Sequence, residues 1–125
     1  MPSDIRPRVS HEGDILRING HPTRMAYMVR DAFWAADRVI VLLDPDAYLD
    51  DPAFGAQRRK PRDPVKNLQA YSPDGEQLWQ AEQPEFSDHY YKIETREPLV
   101  ALSFSAYRCD IDLETGRILK KHYLK

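Results

Sequence analysis

The sequence has one cysteine, Cys109, which excludes an intrachain disulfide and any multi-cysteine zinc site. Apolar runs stop at five residues, as in Val39 to Leu43, whereas a membrane-spanning helix needs about twenty. Neither charge dominates: a net charge of −2 and a pI near 6.1 give no overall pull toward nucleic acid or an anionic membrane. There is no P-loop, no dinucleotide glycine fingerprint and no paired-histidine zinc motif, and no cofactor is implied. The N-terminal MPSDIRPRVSHEGD has no apolar segment after its charges, so a secretory signal is not expected and a cytoplasmic location is the default.

What is present is punctuation. Ten prolines and five glycines interrupt the 125 residues at short intervals, which favours short strands over long helices in a single domain. Residues 1–12, polar with two early prolines, read as a flexible arm, and residues 13–125 as one β domain. Asp14 to Ile18 reads as a strand entering Asn19-Gly20, the dipeptide suited to a type I′ turn, and Pro22 in the returning strand requires a sheet edge.

The clearest hairpin is Asn67 to Glu82, NLQAYSPDGEQLWQAE. Pro73 presets one turn dihedral, Asp74 bonds nearby backbone and Gly75 accepts a positive φ, which together predict a type I turn closed by a bulge. A three-residue loop would put Leu78 opposite Ala70, with Tyr71 and Trp79 on the other face as core or as an exposed platform.

Met25 to Asp37 fits both a helical template and strand alternation, and we prefer a strand paired with the β-branched run Val39 to Leu43. Leu99 to Phe104, Tyr107 to Ile111 and Arg117 to Tyr123 complete the pattern. The expected fold is an all-β antiparallel meander of about eight strands, a sandwich or partial barrel with at most one short helix.

Asp74-Gly75-Glu76-Gln77-Leu78-Trp79 and Asp112-Leu113-Glu114-Thr115-Gly116-Arg117-Ile118-Leu119 resemble the Asp-x-x-Thr-Gly-x-x-x-Trp motif of quinoprotein-type propeller blades. The second copy has Lys120 where that motif has Trp, and two copies cannot close a propeller, so the resemblance implies hairpin geometry without a quinone. SPDGEQLWQAE, Phe104 to Asp112 and TGRIL together also resemble small uncharacterised bacterial β-proteins, some of them immunity-like, which implies a binder more than an enzyme.

The long segment 44–66 is the first candidate for function. Its aspartates 44, 46, 50 and 51 precede the basic cluster Arg58-Arg59-Lys60-Pro61-Arg62, which suits an acidic protein surface. For nucleic acid it lacks a wider basic face and interleaved aromatics. Taken with the segment Gln83 to Tyr91, these features point to a non-catalytic module that binds a protein partner, on the immunity-like reading a toxin. Tyr48, Phe54, Arg58, Arg59, Arg62 and Tyr90 are the expected contact residues, since aromatic and arginine side chains dominate interface energetics. Two rival readings come from the same residues. One is a metal-dependent hydrolase using Asp44 and Asp46 with His89 as acid or base. The other is a structural homo-oligomer joined through an edge strand. Cys109, alternating with Tyr107 and Ile111 on one strand face, reads as a buried small hydrophobe.

Overall fold

The computed structural model describes residues 8–44, 66–85 and 88–124. Among them there are eleven strands and no helix. The first sheet contains β1 (Val9–Glu12), β2 (Ile15–Ile18) and β3 (His21–Arg24). The second contains β4 (Val29–Ala35), β5 (Arg38–Leu43), β6 (Leu68–Tyr71) and β7 (Gln77–Gln80). The third contains β8 (Tyr90–Thr95), β9 (Leu99–Ser103), β10 (Tyr107–Ile111) and β11 (Ile118–Tyr123). Every strand pairs antiparallel with its neighbour in sequence, and no sheet closes into a barrel.

The sheets stack as three layers because β5 is buried on both sides. Val39, Val41 and Leu43 point to a core shared with Leu16 and Ile18 of the first sheet. Ile40 and Leu42 point the opposite way, to a core shared with Tyr90, Leu99, Ala101, Cys109 and Ile111 of the third. Period-two alternation thus divides one apolar run between two cores, and the second sheet becomes the middle layer.

Several turns match the sequence reading. Asn19 and Gly20 take φ values of 53° and 82°, as a type I′ turn requires, and Pro22 sits on the edge strand β3. In the β6–β7 turn Gly75 has φ 90°, its N–H donates to Ser72 O (2.9 Å), and Ser72 N donates to Glu76 O (2.8 Å). The segment after residue 28 is strand, as preferred.

Two expectations need correction, the strand count and the register of the central hairpin. The strand count exceeds eight because Val9–Glu12, read as arm, forms an edge strand, and because Tyr90–Thr95 pairs despite two bulges that break its alternation. A bulge between Ala70 and Tyr71 sets Trp79, not Leu78, opposite Ala70. Trp79 is therefore core, at 8% exposure, while Leu78 is exposed.

Trp79 also joins the two echoing hairpins. Its indole Nε1 donates to Leu113 O (2.8 Å), in the turn between β10 and β11. Its ring lies so close to Gly116 that a Cβ there would come within 2.6 Å of Trp79 Cδ2. Gly116 also has φ 75°, so both space and conformation demand glycine. Gly116→Ala should cost about 2–4 kcal/mol from strain and overpacking together. Gly20→Ala, with positive φ but open space around it, should cost only about 1–2 kcal/mol. Urea unfolding read by tryptophan fluorescence compares them, and equal costs would refute the seat assigned to Trp79.

Candidate functional site

The sequence candidates divide between what the structure describes and what it does not. Tyr48, Phe54, Arg58, Arg59 and Arg62 lie outside the described residues, as do Asp46, Asp50 and Asp51. Asp44 is described and lies 3.4 Å from the Arg30 guanidinium. Among the described residues no three His, Cys, Asp or Glu side chains are grouped to hold a metal ion. Nor is any helix among them long and apolar enough to cross a membrane.

Tyr90 is corrected from contact residue to scaffold. It has 0% exposure at the start of β8, and its hydroxyl donates to Glu82 O at 2.6 Å. It turns inward because its position on β8 faces the core that also holds Cys109 and Leu99. Burial pushes its phenol well above the ordinary tyrosine range, with Cys109 adding to the effect. Burial likewise pushes the Cys109 thiol up, partly offset by its hydrogen bond with Tyr90. The thiol has 0% exposure, so the small-hydrophobe reading fits it.

Around Tyr90 a set of side chains fixes residues 83–85 and 88–91 to both neighbouring sheets. Asn67, buried between β5 and β8, donates from Nδ2 to Leu43 O (3.0 Å) and Tyr90 O (2.7 Å) and accepts from Tyr90 N (3.1 Å). This one amide does what a ladder would do between two sheets that share no ladder. Asp88, also buried, accepts on Oδ1 from the backbone N–H of His89 (2.8 Å) and of Ser105 (3.2 Å). It ties the segment to the β9–β10 turn. Gln83 donates its amide to Asp88 O, and Lys121 Nζ donates to Pro84 O (3.2 Å).

The rim held by these bonds is aromatic. Phe104, in the β9–β10 turn and 59% exposed, meets the Tyr91 ring with centroids 5.2 Å apart. Tyr123, 55% exposed, meets Tyr107 at the same separation. Lys121 Nζ lies 5.0 Å from the Tyr107 ring centroid, and the Tyr107 hydroxyl donates to Glu85 (3.3 Å). Leu124 N donates to Ala106 O (2.8 Å), which brings a further exposed apolar side chain beside the turn. An exposed aromatic group on an immobilised frame loses little conformational entropy when a partner covers it. Our sequence reading placed Phe104 within a strand. Its signal was a large aromatic immediately before Ser105-Ala106, where a turn leaves nothing to cover it.

A family model described as a domain of unknown function (DUF7957) matches residues 6–123. No curated protein and no solved structure matches the chain.

The buried thiol and phenol make stability depend on alkaline pH. In the unfolded chain Cys109 ionises near its ordinary value of about 8.5 and the tyrosines near 10. In the fold Cys109, Tyr90 and Tyr71 all keep their protons to higher pH, burial being the largest cause for each. The folded state then binds more protons, so stability falls as pH rises above about 8.5, approaching about 1.4 kcal/mol per pH unit for each group. Urea unfolding between pH 7.5 and 10.5 should show the decline, reduced in a Cys109→Ala, Tyr90→Phe double variant. A flat profile in the unsubstituted protein would contradict it.

Proposed function

The chain belongs to the DUF7957 family, whose description assigns no activity, and we propose from its surface that it is a non-catalytic protein-binding module. The observation that carries this reading is two aromatic contacts at one end of the third sheet, exposed Phe104 with half-buried Tyr91 and exposed Tyr123 with half-buried Tyr107. An exposed aromatic ring resting on a half-buried one has the composition of an interface anchor. Asn67 and Asp88 support the reading, because they hold the adjoining residues 88–90 before any partner arrives. The basic cluster Arg58, Arg59 and Arg62, together with Tyr48 and Phe54, would extend the contact along the chain. The finer reading is an immunity-like protein whose partner is a toxin. It rests on the sequence resemblance and on the choice of a binder over an enzyme.

The test is affinity capture with the full chain from the cell it comes from, followed by identification of what is retained. One stoichiometric protein is expected, and a Phe104→Ser, Tyr123→Ser double variant should bind it at least about tenfold more weakly, since interface anchors cost over 1 kcal/mol each when truncated. Replacing Arg58, Arg59 and Arg62 by alanine tests the loop separately. Capture indifferent to both sets of changes would overturn the proposal, and a partner identified as a toxin would establish the finer reading.

A further inference from the structure

Among the described residues, the strand β11 lies at the edge of its sheet and pairs only with β10. Leu124 N donates inward to Ala106 O, so by alternation Tyr123 and Lys121 direct their backbone groups outward. Glu82 caps the beginning of this strand, accepting the N–H of Ile118 at 2.9 Å, and among the described residues the cover stops there. An unpaired edge of this kind is a template for another strand.

The other edges are blunted. β3 carries Pro22, which has no N–H to offer, and β1 and β7 are only four residues long. β8 is interrupted by two register shifts, whereas β11 is regular from Lys120 to Tyr123. β4 carries a register shift of its own near its start.

Charge selects the guest. Residues 117–124, RILKKHYL, hold three cationic side chains and no acidic one, in a chain whose net charge is −2. Lys120 and His122 pair with Asp110 and Arg108 and share the sheet's outer face, while Lys121 and Tyr123 pair with Cys109 and Tyr107 on the inner one. A second copy docking edge to edge would bring the basic run Lys120 to His122 of one chain beside that of the other, with no carboxylate on either edge strand between them. A guest strand with carboxylates on its outer face would meet Lys120 and His122, while Lys121 stays engaged on the inner face with Pro84 O and the Tyr107 ring, and apolar residues on the guest's other face would cover the exposed ring of Tyr123.

We infer that β11 accepts an extended segment of a partner protein in which acidic and apolar residues alternate, added as a fifth strand to the third sheet. The inference rests on the protein-binding reading above and gives that partner its chemistry.

Fluorescence anisotropy with the full chain tests it, using labelled eight-residue peptides of alternating glutamate and valine or of alternating lysine and valine. The acidic peptide should bind at least about tenfold tighter, and weaken as salt rises from about 0.05 to 0.3 M. N-methylating alternate amides of the acidic peptide should abolish binding in one phase and spare it in the other, because only one set faces β11. Tyr123→Pro, which removes an outward N–H and leaves the inward ladder intact, should bind about tenfold more weakly than Tyr123→Ala. Melting temperatures show that both variants are folded. Equal affinity for the two peptides, indifference to both methylation phases, or a dimer in sedimentation that Tyr123→Pro dissolves would overturn the inference. Should the peptides fail while capture still depends on Phe104, the edge assignment falls and the protein-binding reading stands.

Discussion

Burial of β5 on both faces is the constraint on which the rest of the structure depends. A strand with one solvated face alternates apolar and polar residues, but Val39 to Leu43 offers no polar position to water. Each of these side chains gains about 1.5–3 kcal/mol on burial relative to exposure, so leaving either face open would forfeit several. Two further layers are therefore required, and the chain supplies one on each side. The charged residue that begins the strand, Arg38, is buried but partnered: it donates to Leu113 O (2.8 Å) and to the exposed Asp37 carboxylate (3.0 Å). That carboxyl is in turn held below its ordinary range by the guanidinium.

Layering leaves a problem that the strands do not solve. All ladders run between sequence neighbours, so no ladder crosses from one sheet to the next. Single backbone bonds, Val29 N to Gly13 O and Glu82 N to Gly116 O, and side chains make the crossings instead, the latter through Asn67 to Tyr90, Arg38 to Leu113 and Trp79 to Leu113. Leu113 O receives both bonds from Arg38 and Trp79, which makes one turn carbonyl a shared joint between the middle and third layers. Apolar packing drives the layers together, and these polar contacts set how they align.

How much of this was legible depends on the range of the signal. Asn19-Gly20 and Ser72 to Gly75 carry their turn geometry in two to four residues, and both turns could be read directly. Val39 to Leu43 marked a central strand for the same local reason. Val9–Glu12 could not be read, because an edge strand with one partly buried residue has no apolar pattern. Trp79 and Leu78 exchanged roles through a single bulge, since one inserted residue moves every later side chain to the opposite face. Tyr90 looked like a surface aromatic because its neighbours in sequence are polar, and its burial arises from residues far along the chain. The expected contacts at 48–62 fall outside the described residues, and the aromatic rim emerged only when Phe104 was seen beside Tyr91 and Tyr123 beside Tyr107.

The carbonyl of Leu113 has a further consequence, for the order in which structure is gained. Pairing within a layer closes short loops, whereas the bond from Arg38 joins residues 75 apart. Loop-closure entropy rises with the logarithm of length, so contacts at that separation start about 2 kcal/mol behind those of a hairpin. Layers assembled from contiguous sequence have no such handicap, and their docking offsets it only once both apolar faces are presented. The joint is thus a late contact in the chain's history, and what it adds is cooperativity: the third sheet, with its aromatic rim and its free edge, keeps its shape only as long as the middle one does.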